Sequence, residues 1–285
     1  MKLKSLVIVI AALMAVFAGC KTETAEETKE ITLAYVEGWA EGPAMTYVMK
    51  DMLESSGYSV TVQKAAVDLI FASMARGDVD AFMDTWMPVT HGEKVKKFGE
   101  KIVKLGTNYD SARIGLVVPQ YVTIDSITEL NDNAEKFNGR IVGIDSGAGI
   151  MKKTQEATES YGLKLELMPS SGVAMLSELQ KAIGENNWIV VTGWSPHFKF
   201  ARWELKYLED PKGTYGETET IETWARQGLE TDDPFAAELL ANFTLDDSQM
   251  SDLLLKMSEA KGNEAAVAKQ WIADNKALVD SFMPK

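Results

Sequence analysis

Two short stretches of this chain share one layout, and that layout restricts the fold. Val79 to Met83 is an apolar run followed by Asp84-Thr85-Trp86-Met87-Pro88-Val89-Thr90-His91. Trp188 to Val191 is a second run, followed by Thr192-Gly193-Trp194-Ser195-Pro196-His197. Short apolar runs bounded by turn residues read as buried strands. A Trp placed in the turn at a strand's carboxyl end, beside a Pro, is poorly placed to fill a core. It is well placed to wall a cleft. Two such turns predict two lobes, each offering an indole to a shared site.

The surrounding residues repeat the theme. The first unit reads as strand Ile31–Val36, a turn Glu37–Pro43 carrying Trp39, helix Ala44–Leu53, strand Tyr58–Val62, helix Val67–Met74 and strand Val79–Met83. The second reads as strand Arg140–Ile144, a Gly-rich turn Asp145–Gly149, helix Ile150–Ser160, strand Leu163–Met168, helix Val173–Ile183 and strand Trp188–Val191. A β-α-β-α-β succession implies a parallel sheet flanked by helices, hence an α/β fold. Ile114–Val118 reads as the passage into the second lobe, and Asp210-Pro211-Lys212-Gly213 as the turn that returns. After it, 221–229, 234–242, 247–258 and 264–278 have amphipathic helical spacing and are expected to finish the first lobe. The expected division is lobe I over 30–111 and 213–285, and lobe II over 112–212.

The amino terminus reads as a targeting segment. Residues 1–19 carry Lys2 and Lys4, then an apolar run from Leu6 to Phe17, then small residues, as in a signal peptide. Phe17-Ala18-Gly19-Cys20 is similar to a bacterial lipobox, in which the Cys becomes the lipid-modified first residue. Residues 20–29, Thr- and Glu-rich, then form a tether. The expected location is outside the cytoplasmic membrane, lipid-anchored at the cell envelope, with no other membrane contact.

Composition excludes several classes. A formal net charge of -13 argues against nucleic acid and against anionic membrane surfaces as partners. A single Cys forbids an intramolecular disulfide, and two His without a Cys cluster leave no structural zinc site. No cofactor is called for. An enzyme needs a nucleophile–base pair or a metal, and Ser195 beside His197 has no partnering acid.

Ligands of open parallel sheets sit beyond the carboxyl ends of the strands, where Trp39, Trp86, Gly149 and Trp194 all fall. Three indole faces suit a soft, poorly hydrated cation such as a quaternary ammonium, at roughly 0.5–2 kcal/mol per ring. The helix start at Gly149-Ile150 offers free N–H groups and a positive dipole end, which suit a carboxylate. A cation and a carboxylate on one small molecule make a betaine. Asp84 is placed to orient His91 or a backbone amide. Trp188, Trp203, Trp224 and Trp271 read as structural.

The motifs Tyr35-Val36 with Trp39, Trp86-Met87-Pro88-Val89-Thr90-His91, Gly147-Ala148-Gly149-Ile150-Met151, Val190-Val191-Thr192-Gly193-Trp194-Ser195-Pro196-His197 and Tyr207-Leu208-Glu209-Asp210-Pro211 resemble those of the glycine betaine-binding proteins of bacterial ABC transporters. The resemblance implies a two-lobed, type II (venus-flytrap) periplasmic-binding-protein fold and a non-enzymatic, monomeric receptor serving a membrane permease in osmoprotectant uptake. It implies a prism of Trp39, Trp86 and Trp194 around trimethylammonium. Carboxylate contacts fall on the Gly149 and Ile150 amides and on His91. His197 is a candidate neighbour of the ligand's contacts, and Tyr109 a candidate border of the cage. Glycine betaine or proline betaine is the expected ligand, with choline or carnitine as the alternative.

Overall fold

The structure is a computed structural model that describes residues 28–285. The expected signal peptide, Cys20 and most of the tether lie outside the described residues.

The first unit runs β1 (Glu30–Tyr35), α1 (Glu41–Ser55), β2 (Ser59–Lys64), α2 (Val67–Arg76) and β3 (Ala81–Met87). β1 pairs in parallel with both β2 and β3. Six of the seven residues of β3 are buried, as expected for a strand covered on both faces. α1 turns Ala44, Met45, Val48, Met49 and Met52 onto the sheet at helical spacing. Gly77, at φ 83, ends α2 in the left-handed conformation that glycine adopts without a steric penalty.

α3 (Gly92–Phe98) then leads through a 3-10 turn into β4 (Ile102–Pro119), an 18-residue strand. The second unit follows as β5 (Arg140–Val142), α4 (Gly149–Tyr161), β6 (Glu166–Met168), α5 (Gly172–Gly184), β7 (Val191–Ser195), a short α6 (Lys199–Arg202) and β8 (Leu205–Tyr207). β9 (Glu219–Arg226) comes next. The chain closes with α7 (Leu229–Asp232), α8 (Pro234–Asn242), α9 (Asp247–Met257), α10 (Glu264–Asp274) and α11 (Lys276–Phe282).

The strand order is β2-β1-β3-β9-β4-β7-β5-β6, with β8 beside β4. β4 joins the two halves. Its residues Ile102–Ala112 pair antiparallel with β9, and Arg113–Val117 pair antiparallel with β7. β9 is the return strand, wedged antiparallel between β3 and β4.

Three local expectations are corrected. Residues 219–226 form a strand, not the start of a helix. Ile221, Trp224 and Ala225 mimic helical spacing, but Thr220, Ile221 and Thr223 are β-branched and the run lies between Gly216 and Gly228, both at positive φ. The helix expected over 264–278 is two helices separated at Asn275. Trp86 and Trp194 lie on the last residues of β3 and β7, not in the turns beyond them. Trp86 opposes Ile221 and Trp194 opposes Ile114 across their ladders, which fixes the backbone that carries each indole.

Candidate functional site

Where the two halves face each other, a small cavity is lined by Trp39, Trp86 and Trp194, by His91, Thr90 and Glu41, and by Ile114, Ile144 and residues 148–150. The sequence-derived candidates Trp39, Trp86, Trp194, His91, Gly149 and Ile150 therefore share one space. All three indoles are nearly buried, at 6%, 3% and 4% exposure, so little water competes at their faces.

Each indole is held differently. Trp86 Nε1 donates to Asp84 Oδ1 at 2.8 Å, so Asp84 orients the indole and not His91 or a backbone amide. Trp194 Nε1 donates to Glu41 Oε2 at 3.0 Å. Trp39 stacks on the His91 ring, 5.7 Å between centroids and 11° from parallel.

His91 is clamped by the strand end. The Trp86 N–H donates to His91 Nδ1 at 2.9 Å, and the His91 N–H donates to the Trp86 carbonyl at 2.9 Å. Phe71 packs edge-on against the imidazole. With Nδ1 accepting, the neutral ring carries its proton on Nε2. That nitrogen is buried and has no partner among the described residues. Burial, with a smaller contribution from Lys94, lowers the His91 pKa to about 3. The sign follows directly: acid must approach that value before the ring charges. The Nε2–H donor is expected to persist unchanged from pH 8 to pH 5, which imidazole ¹⁵N shifts would register as one neutral tautomer. A midpoint near 6.5 would contradict the burial argument.

The loop carrying Thr90 and His91 is fixed from β9. The Glu219 carboxylate accepts from the Val89 and Thr90 N–H groups at 2.8 Å each and from the Thr90 hydroxyl. Opposite stands the start of α4. No side chain caps it, so the first N–H groups, those of Gly149 and Ile150, lack acceptors within the helix. A Cβ built on Gly149 would overlap the Thr90 carbonyl oxygen, and one on Gly172, at the start of α5, would overlap the Gly38 carbonyl. The two halves thus meet backbone to backbone at two glycines.

Two candidates stand apart from the cavity lining. Tyr109, expected as a possible border, turns its hydroxyl to Asp247 at 2.6 Å and serves the first half's own packing. His197 packs edge-on against Trp194 at 4.9 Å, with Nδ1 accepting from the Lys199 N–H, so it touches the wall from behind.

Charges missed in the sequence surround the indoles. Burial raises the Glu41 carboxyl to about 7 against the opposing pull of the Trp194 N–H, its own helix-start amides and Lys199. Burial and the Glu41 charge push Asp84 well above the usual carboxylate range. Lys199, fully buried, sits 4.1 Å from the Trp194 ring centroid and donates to the Trp194 carbonyl at 2.9 Å. Burial drives its pKa well below the ordinary value. Ser195 Oγ lies 2.8 Å from the Tyr207 hydroxyl, its side-chain hydrogen-bond partner. Among the described residues no group of three or more His, Cys, Asp or Glu is arranged to hold a metal ion.

Two sheets joined through one long shared strand and a returning β9, with a small cavity where they face, define a two-lobed α/β binding protein of the type II periplasmic class. Residues 29–274 match the family described as the substrate binding domain of ABC-type glycine betaine transport systems, and the chain belongs to that family. It is a transport family and not one of enzymes. The chain is 45% identical over 147 residues to the glycine betaine/carnitine transport binding protein of Listeria monocytogenes, a match covering 50% of this chain and 49% of that relative. The match thus spans about half the length of that curated protein. The structure superposes on the glycine betaine, L-proline-binding protein of Borrelia burgdorferi with a TM-score of 0.86 at 35% identity, covering 90% and 97% of the two chains. It also superposes on a lactococcal protein crystallised closed with glycine betaine, with a TM-score of 0.84 at 34% identity, covering 90% and 100%.

Proposed function

We propose that this protein is the extracytoplasmic receptor of an ABC importer and binds glycine betaine, or proline betaine, between its lobes. One observation carries the reading: three indoles contributed by both halves, an uncapped helix start and a buried, unpartnered His91 Nε2–H all line one small cavity. Trp39, Trp86 and Trp194 surround the methylated ammonium, which donates no hydrogen bond and needs only polarisable faces. The Gly149 and Ile150 amides and His91 receive the carboxylate. The ligand touches both lobes, so it stabilises the arrangement in which they meet, and that difference in affinity drives closure.

The lobes divide near the partner switch of β4, with 30–111 and 213–285 in one and 112–212 in the other. Lipidation at Cys20 keeps the receptor at the envelope beside its permease. The crystallised lactococcal relative with bound glycine betaine supports the ligand assignment at 34% identity.

Choline or carnitine is the second reading. The Glu41 carboxyl on the cavity wall favours choline, because a cation without a carboxylate of its own would draw on a nearby acid. The two free amides at α4 favour the betaine. Intrinsic Trp fluorescence titrations with glycine betaine, proline betaine, carnitine and choline in parallel separate the readings. Micromolar glycine betaine binding, on the order of −8 kcal/mol, is expected, with choline weaker. Choline binding tighter than glycine betaine would reverse the assignment.

A further inference from the structure

The three indoles are anchored unequally, and the inequality has a consequence for closure. Trp86 takes its acceptor from Asp84, two residues away on the same strand, so its orientation is set within the first half alone. Trp39 Nε1 has no partner among the described residues, and its ring rests on His91, also in the first half. Trp194 differs. Its backbone belongs to β7 of the second half, while its N–H is received by Glu41 in the first turn of α1, 153 residues away in the first half.

We propose that Glu41 is a positioning residue that latches the Trp194 indole across the cleft, so that the third wall of the cation site is completed only when the lobes meet. This rests on the betaine reading above and extends it to how cage assembly is coupled to closure. Glu41 is 1% exposed and lines the same cavity as the three indoles, so the bond forms at the ligand and not at the rim. With the lobes apart, the Trp194 indole keeps supports from its own half: Lys199 Nζ over its ring and the His197 edge. Neither fixes rotation of the indole in its plane as a directed N–H bond does. An acceptor oxygen on the indole N–H also pushes electron density toward the ring, which makes its face a better seat for a cation. The same carboxyl therefore joins the lobes and tunes the wall.

A double-mutant cycle with glycine betaine as the probe tests the latch. Affinity and dissociation rate are measured for the unmodified chain, Glu41→Ala, Glu41→Gln, Trp194→Phe and the Glu41→Ala/Trp194→Phe double variant, with the melting temperature of each as a check on folding. Phenylalanine keeps a ring but has no N–H to latch. Glu41→Ala is expected to weaken binding about tenfold, mainly through faster release. Glu41→Gln retains an acceptor oxygen and is expected to stay within about threefold of the parent. In the Trp194→Phe background, Glu41→Ala is expected to add less than about twofold, the signature of a shared interaction. An undiminished effect of Glu41→Ala in that background, or a Gln variant as weak as the Ala variant, would overturn the latch while leaving betaine binding intact. No binding by the unmodified chain would overturn the betaine reading and the latch with it.

Discussion

Replacing Trp86 with alanine is expected to weaken glycine betaine binding by more than tenfold. The indole is 3% exposed and faces the cavity, so its loss removes a cation–π wall worth roughly 0.5–2 kcal/mol and the apolar contact that dehydrates the methyl groups. The substitution also strips Asp84 of its one hydrogen bond, since Oδ2 already lacks a partner. A buried acceptor left alone costs about 1–3 kcal/mol of stability, so the alanine variant should also melt lower. Trp86→Phe separates the two effects. It keeps an aromatic face and loses the Asp84 bond, and its affinity should fall between parent and alanine variant. Calorimetric titration of the three chains measures this order. Near-parental affinity in Trp86→Ala would mean that the indole does not touch the ligand.

Gly149→Ala should produce a larger loss of binding with no loss of fold. The added methyl would meet the Thr90 carbonyl, a backbone atom that cannot swing away. It would hold the start of α4 off the first half and displace two carboxylate donors, each worth about 1.5–3 kcal/mol when the acceptor is charged. A hundredfold loss, roughly 3 kcal/mol, is the expected scale. The separated lobes feel no such clash, and alanine is the better helix former, so the ligand-free melting temperature should hold or rise slightly. Ligand-induced stabilisation should vanish in the same scans. Parental affinity in Gly149→Ala would show that the two backbones do not approach this closely when ligand binds.

The parts of this design that depend on local pattern were readable from the residues. β1 to β3, β5 and β6 follow from apolar runs alternating with amphipathic helices, β7 (Val191–Ser195) begins where the expected run 188–191 ends, and α8 begins at Pro234 and ends at Asn242 as its spacing implies. What escaped depends on distant partners. β9 carries a helical spacing of apolar residues, and its β-branched residues together with its position between β3 and β4 make it a strand. Glu41 reads as an ordinary acid in the turn before a helix, because nothing local points to an indole 153 residues away. Glu219 likewise reads as a solvated charge, yet it is 1% exposed and holds the loop that presents His91. Tyr109 fails for the opposite reason. Side chains alternate along a strand, and a crossing strand passes the cleft with only one face toward it.

In the proposed function, recognition rests on the positive charge of the ligand meeting three aromatic faces. Parallel calorimetric titrations with glycine betaine and tert-butylacetate test this most directly, because the two share size, shape and carboxylate and differ in a nitrogen cation replaced by carbon. Glycine betaine should bind at least tenfold more tightly, as expected if cation–π attraction from several rings holds it. Equal affinity for the two would contradict the account, leaving a cavity that recognises shape and carboxylate alone.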